Sequence, residues 1–110
     1  MTVNIKETAL SYFKTFSEKN IDGLREMFDD NVTLRDWNKN YQGIKSVLEE
    51  NLNIFQNVKT INAIPQNIIS ENNFVFAELK IVVNNDELNV VDLIEFNKKG
   101  KIISIKAFKG

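Results

Sequence analysis

The 110-residue sequence contains no cysteine and no histidine. The absence of cysteine excludes disulfides, a thiolate nucleophile and zinc–sulfur sites. The absence of histidine removes the usual general base at neutral pH and the commonest transition-metal ligand, so Ser-His-Asp and Cys-His catalysis are excluded too. Proton transfer would have to use aspartate, glutamate, tyrosine or lysine side chains with pKa values shifted by their surroundings. We therefore expect a protein that needs no metal and no cofactor.

The sequence also lacks an excess of charge of one sign and any long apolar run. Its 14 basic and 15 acidic side chains give a net charge of −1, which cannot build the positive field that non-specific nucleic-acid binding relies on. No apolar run approaches the roughly 20 residues of a membrane span. The N-terminal segment, with Lys6 and Glu7 ahead of a helical pattern, is unlike a secretion signal. We predict one cytoplasmic domain, residues 1–110, that binds neither nucleic acid nor membranes.

Helical periodicity is present in the first half of the chain. Apolar residues recur at steps of three and four over Ile5–Phe16, Ile21–Phe28 and Ile44–Phe55, which predicts three amphipathic helices. Either Asn20 or Asp22 can cap the second.

The rest of the chain has the patterns of strands. A period of two over residues 32–37 predicts a strand, and the polar segment NKNYQG then leads to the third helix. Strands follow from residue 58 onward, where Pro65 indicates an edge position or a bulge. Turn sequences at 84–86 and 98–100 predict that the last three strands form an antiparallel meander. Helices followed by a meander predict an α+β fold with the helices on one face of the sheet.

Asp92 interrupts an apolar strand face. In the alternating pattern Leu88, Val90, Ile94 and Phe96 share its side. Burial there would remove hydration from the carboxyl group, so its pKa should rise and the group can stay protonated at neutral pH. A protonated carboxylic acid donates a hydrogen bond, which a carboxylate cannot. The alternatives are a buried structural hydrogen bond and a role at a dimer interface.

Asp36 and Tyr12 are two further polar residues on inward faces. Asp36 follows Leu34 on the inner side of the first strand, and Tyr12 lies on the apolar stripe of the first helix. One carboxylate that takes a proton and two neutral acids that stabilise an oxyanion are what proton transfer next to a carbonyl requires. Alternatively, Asp36 caps a turn and Tyr12 is a core residue whose hydroxyl bonds to the backbone. The presence of all three favours a functional site.

Two segments resemble the bacterial ketosteroid isomerases of the nuclear transport factor 2-like (SnoaL-like) superfamily. They are SYFKTFSEKNIDGLREMFDDNVTLRDW, residues 11–37, and VVDLIEFNKKGKIISIKAFKG, residues 90–110. The resemblance implies a curved, mostly antiparallel sheet wrapped around the three helices as a cone. It also implies a cofactor-independent isomerase in which Asp36 is the general base, and Tyr12 and a protonated Asp92 form the oxyanion hole.

The same resemblance directs attention to the ligand pocket. Asn51 falls where the isomerases often carry a supporting tyrosine, and it also lies on the apolar stripe of the third helix, where it could bond a ligand or the backbone. Trp37 stands in place of the family's usual proline, and Lys109 occupies a position that is aromatic in the isomerases. We take Asn51, Trp37, Phe55 and Phe28 as candidate ligand-binding residues, although the aromatic ones could equally be surface or core. The expected ligand is small and apolar, with a carbonyl or phenol-like group.

A second function class stays open, namely a non-catalytic small-ligand-binding or dimerisation module of the same fold. The strand over residues 74–83 is apolar on one face and carries Phe74 and Phe76 on the other, and Val91 and Leu93 add apolar surface beside them. A sheet that is apolar on both faces must cover the second, and a symmetric dimer is the common means. We expect a homodimer under either function.

Overall fold

The computed structural model describes residues 4–110 and places its three helices in the first half of the chain. They are α1, Ile5–Ser17; α2, Ile21–Met27; and α3, Ile44–Asn57. The side chain of Asn4 accepts the backbone N–H of Glu7, and that of Asn20 accepts the N–H of Gly23, so each caps a helix N-terminus. Asn20 rather than Asp22 is therefore the cap of α2. Within residues 4–110 no helix is long and apolar enough to cross a membrane.

Six strands form one sheet against these helices. They are β1, Phe28–Arg35; β2, Asn40–Gln42; β3, Ile61–Glu71; β4, Phe74–Val83; β5, Asp86–Phe96; and β6, Ile102–Lys109. Their order is β2-β1-β6-β5-β4-β3, and every pair is antiparallel except β1 with β6. The α+β class and the meander of the last three strands are confirmed.

The strand β2 was not predicted from the polar segment 38–43. Three residues are too few for a period of two to show. Tyr41 nevertheless pairs with Leu34 of β1, packs against the core, and donates a hydrogen bond from its hydroxyl to Oε2 of Glu50 on α3 at 2.7 Å. Tertiary contacts therefore hold a strand that local pattern does not specify.

Pro65 fulfils both alternatives proposed for it. It lies in β3, which is an edge strand of the sheet, and the pairing register with β4 shifts between Pro65 and Asn67. A proline cannot donate to the ladder, which confines it to such positions, and the bulge bends the strand. Further register shifts occur in the β1–β6 and β5–β6 pairs. These irregularities help the sheet to curve around the helices.

Lys19 joins the ends of α1 and α3. Its backbone has a φ of 57°, which turns the chain away from α1. Its ammonium group donates hydrogen bonds to the carbonyl oxygens of Phe55, Val58 and Lys59 at 3.0, 2.7 and 3.1 Å. Carbonyl groups at a helix C-terminus lack intrahelical partners, and a cation there also complements the helix dipole. This contact fixes the helix that carries Asn51.

Candidate functional site

A cavity of about 240 Å³ lies between α1, α3 and the inner face of the sheet. Most of its lining is aliphatic or aromatic, from all three of those layers. The polar or titratable side chains in the lining are those of Tyr12, Asp36, Asn51 and Asp92. The cavity therefore brings the three predicted catalytic residues and two predicted ligand-binding residues, Asn51 and Trp37, to a common space.

Asp92 reaches this space from the middle of β5. It is only 7% exposed, and burial raises the pKa of its carboxyl group to about 7. Its partners in the sheet are Ala77 on β4 and Ala107 on β6, whose small side chains leave room beside the carboxyl group. The role of these alanines was missed in the sequence, because it follows from the register of two hairpins and not from residue type.

Tyr12 projects from the buried face of α1. Its ring lies among the rings of Phe13, Phe16 and Phe28, with centroids 5.4, 6.3 and 6.1 Å away. Burial, and then the negative charge of Asp92, raise the pKa of its hydroxyl well above the ordinary value. The hydroxyl therefore stays protonated as an O–H donor across the physiological pH range.

The Tyr12 hydroxyl and the Asp92 carboxyl form no hydrogen bond with any side chain or backbone group of residues 4–110. Every side-chain polar atom in that range that is fully shielded from solvent has a hydrogen-bond partner. The oxygens of Tyr12 and Asp92 have no partner, so they cannot be fully shielded. The free oxygens of Tyr12 and Asp92 are therefore accessible from the cavity. Tyr12 and protonated Asp92 thus each present an unpaired donor to the same apolar cavity.

Asp36 follows directly after β1 and is half-buried. Its Oδ1 accepts the backbone N–H groups of Asn38 and Lys39, both at 2.7 Å, and its own N–H donates to the carbonyl oxygen of Lys39. The alternative that Asp36 caps a turn is therefore correct for its Oδ1 atom. Oδ2 accepts no hydrogen bond from residues 4–110, while the side chain also lines the cavity. One carboxyl group can cap the turn with one oxygen and face a ligand with the other.

Asn51 is 3% exposed on the inner face of α3. Its Nδ2 donates to the carbonyl oxygen of Val47 one turn earlier, at 2.9 Å. No donor within residues 4–110 reaches Oδ1 of Asn51. A fully shielded oxygen would have a partner, so this oxygen is accessible, and the cavity that Asn51 lines is the space that exposes it. The backbone alternative therefore holds for the amide nitrogen and leaves an acceptor for a ligand.

The three aromatic candidates separate into two groups. Trp37 lines the cavity with its side chain 45% exposed, and the ammonium group of Lys109 lies 5.9 Å from the centroid of its ring. Phe28 and Phe55 do not belong to the lining. Phe28 is buried against Tyr12, and Phe55 is buried edge-on against Phe16 at 5.2 Å. They support lining residues and do not contact the cavity themselves.

Comparison with known proteins gives one family match and many structural matches. The family of SnoaL-like domains matches residues 9–105, whereas no curated protein sequence matches the chain. An NTF2-like protein of unknown function from Cytophaga hutchinsonii superposes with a TM-score of 0.85 at 14% identity, over 100% of this chain and 93% of that one.

Two further structural neighbours have functional descriptions. A candidate SnoaL-like polyketide cyclase from Shewanella denitrificans has a TM-score of 0.87 at 11% identity, covering 96% of this chain and 90% of its own. A candidate ketosteroid isomerase from Kribbella flavida has a TM-score of 0.83 at 13% identity, covering 96% and 77%. At such identities the likeness concerns the fold, since one fold supports many activities. With the match over residues 9–105, this chain belongs to the family of SnoaL-like domains and has the nuclear transport factor 2-like fold.

Proposed function

We propose that the chain is a single cytoplasmic domain that catalyses cofactor-independent isomerisation of an unsaturated ketone. The observation that carries the proposal is that Tyr12, Asp36 and Asp92 line one cavity whose other walls are mainly apolar. An apolar cavity strengthens the interaction of the donors with a developing negative charge, because little water competes for it.

The proposed reaction follows from the protonation state of each of the three side chains. Asp36 removes the proton between the carbonyl and the double bond of a β,γ-unsaturated ketone, which forms a dienolate. Tyr12 and protonated Asp92 donate hydrogen bonds to the dienolate oxygen, and each can lower the barrier by a few kcal/mol. Asp36 then returns the proton at the γ carbon, giving the conjugated ketone. No electron acceptor or co-reactant is needed.

The size of the cavity favours a compact substrate. Its volume of about 240 Å³ lies below the roughly 300–1,000 Å³ of sites for drug-sized ligands. A ketone with one or two rings fits this space better than the four fused rings of a steroid. We therefore propose a mono- or bicyclic β,γ-unsaturated ketone as the substrate type.

An isomerisation assay tests the proposed activity. A bicyclic β,γ-unsaturated octalone and a β,γ-unsaturated 3-ketosteroid are incubated with the protein, and formation of the conjugated ketone is followed by its ultraviolet absorbance. We expect acceleration over buffer, and a higher kcat/KM for the octalone. Absence of acceleration for both compounds, together with absence of phenol binding, would favour the binding-module alternative.

A planar phenol should bind as a mimic of the dienolate. We expect 2-naphthol to bind in the cavity, and Tyr12→Phe to weaken its binding by roughly two- to tenfold, since a hydrogen bond between neutral groups contributes about 0.5–1.5 kcal/mol. Asp92→Ala should weaken it similarly. Quenching or shift of naphthol fluorescence gives the dissociation constants.

The chain offers a matched control for Tyr12→Phe. The Tyr41 hydroxyl donates to Glu50, which raises the pKa of Tyr41 to about 12, and Tyr41 does not line the cavity. Tyr41→Phe removes the same atom and should leave naphthol affinity unchanged. Equal effects of the two substitutions would show that the loss is structural and would contradict the assignment of Tyr12.

The outer face of the sheet supports a homodimer. A set of apolar side chains, here called the outer patch, crosses four strands; it comprises Ile69, Phe76, Val91, Leu93 and Phe108. The pairing register places Ile69 beside Phe76 and Phe76 beside Leu93, and it places Val91 beside Phe108. Phe76 is 43% exposed and Phe108 55% exposed. No part of residues 4–110 covers these side chains, and a contiguous exposed apolar patch of this kind marks an interaction site.

We propose a second copy of the chain as the partner. Glu78 on β4 and Lys106 on β6 flank the patch on opposite sides of β5. A two-fold axis along β5 would bring Lys106 of one copy over the side that carries Glu78 of the other. The patch and its charges are thus complementary to themselves, as a two-fold interface requires.

Sedimentation at micromolar concentration should show a dimer. Phe76→Glu should shift the protein to monomer, because it would bury a carboxylate in the apolar centre of the interface. Leu52→Glu is the control, since Leu52 on α3 is also 43% exposed but lies outside the outer patch. A wild-type protein that sediments only as a monomer, or equal dissociation by both substitutions, would contradict the proposed interface.

A further inference from the structure

A second hollow of about 310 Å³ adjoins the mouth of the cavity. Asp36, Trp37 and Ala107 line both spaces, so a ligand that fills the cavity can extend into the hollow. The isomerase reaction as proposed makes no use of this hollow. Its chemistry differs from that of the cavity, because most of its remaining lining is basic.

Three cations surround the hollow, namely Arg35, Lys106 and Lys109. None of them forms an ion pair with a carboxylate of residues 4–110. The single acid in the lining is Asp36, and its Oδ1 is already held by two backbone N–H groups. The hollow therefore has an excess of positive charge with little internal compensation.

The sheet register brings two of these charges together. Arg35 on β1 is the direct neighbour of Lys106 on β6. Like charges on neighbouring strands destabilise a sheet, since each raises the energy of the other. A bound anion would remove this repulsion. Because Lys106 also borders the outer patch, Arg35 and Lys109 are the two cations that we assign to the hollow alone.

Lys109 lies on the side of β6 that faces the cavity. It pairs with Val90, and it is two residues beyond Ala107, the neighbour of Asp92. Two residues of a strand span roughly 7 Å, which is about the length of a fused two-ring ligand. Stacking of the ammonium group over Trp37, 5.9 Å from the ring centroid, restrains it beside the opening.

From this arrangement we infer that the substrate is an unsaturated keto acid. Its ketone lies between Tyr12 and Asp92, and its carboxylate lies in the hollow, to whose lining Arg35 and Lys109 both contribute. The inference rests on the proposed function for the position of the ketone. A guanidinium group suits this role because its fork of donors matches the two oxygens of a carboxylate. The carboxylate orients the substrate so that its reacting carbon is presented to Asp36.

Two phenols that differ by one carboxylate test the inference. The probes are 2-naphthol and 6-hydroxy-2-naphthoate, whose carboxylate is on the ring far from the hydroxyl. Exposed ion pairs are each worth a factor of up to about five, so the naphthoate should bind roughly tenfold more tightly than naphthol. Raising the ionic strength from about 0.01 M to about 0.15 M should reduce this preference, because the Debye length falls from about 30 to 8 Å.

The double variant Arg35→Gln/Lys109→Gln should lower the ratio of the two affinities to near one. Lys98→Gln/Lys99→Gln removes two charges from the exposed turn between β5 and β6, and it should leave the wild-type ratio in place. A double variant at Arg35 and Lys109 that keeps the wild-type ratio, or a control that loses it equally, overturns the carboxylate site.

The two proposals fail in different ways. If naphthol binds and Tyr12→Phe weakens it, but the naphthoate shows no preference, then the keto-acid inference is overturned and the proposed function stands. If neither phenol binds, then the oxyanion hole is overturned, and with it the inference that depends on it. If both bind and only the naphthoate depends on Arg35 and Lys109, both proposals are supported.

Discussion

Asp36→Asn is expected to lower turnover of an accepted β,γ-unsaturated ketone by roughly 10²–10⁴-fold, the contribution typical of general base catalysis. The amide cannot take the proton that forms the dienolate. Asparagine keeps the Oδ1 that accepts the N–H groups of Asn38 and Lys39, so the turn after β1 should retain its shape. Initial rates of conjugated-ketone formation at saturating substrate measure the loss.

Two controls separate chemistry from structure in this variant. Asp86→Asn makes the same change at an exposed position at the start of β5, and it should keep the wild-type rate. Naphthol should still bind to Asp36→Asn, because Tyr12 and Asp92 are intact, so the loss should be in kcat. Turnover of a proven substrate by Asp36→Asn at the wild-type rate would show that another group is the base.

The position of Asp92 could be predicted from the sequence because each inference depends on residues that are close together along the chain. Alternation along β5 gives its inward direction, and the turns at 84–86 and 98–100 specify that β4, β5 and β6 are neighbours. A shift of one residue would turn Leu88 and Val90 to solvent, so the register is strongly determined. Tyr12 is placed in the same way by the period of α1.

No pattern of this local kind shows that Asp36 and Asp92 line the same cavity. This arrangement depends on the parallel pairing of β1 with β6, strands separated by more than sixty residues of chain. Pattern shows which side of β1 faces inward but not which strand lies beside it. The resemblance to the isomerases supplied this relation.

Hydrophobic periodicity also leaves the depth of a residue undetermined. Phe28 and Phe55 face inward as the pattern indicates, yet both pack in the core and do not line the cavity. Whether an inward residue meets other side chains or open space depends on sheet curvature. Bulges contribute to that curvature, and of the three register shifts in the sheet only the one at Pro65 has a visible signal in the sequence.

Buried Asp92 should make the stability of the protein fall as the pH rises from about 4 to about 7. An aspartate in an unfolded chain loses its proton near pH 4, whereas burial holds the pKa of Asp92 in the folded protein at about 7. Between these values the folded state binds the extra proton. The free energy of unfolding therefore decreases by about 1.4 kcal/mol per pH unit from this group, a few kcal/mol in all, with no further loss above the folded pKa.

Asp92→Asn isolates this contribution, because an amide of nearly the same shape does not titrate. Urea unfolding from pH 4 to 8 should show the variant gaining stability relative to wild type as the pH rises, up to about pH 7, with Asp86→Asn, at an exposed position, measured beside it as the control. A difference between wild type and Asp92→Asn that stays constant over this range would mean that Asp92 is ionised in the folded state throughout.

The same titration governs the proposed chemistry. Above about pH 7 the ionised Asp92 can no longer donate to the dienolate oxygen, so turnover should decline in the pH range where the loss of stability is complete.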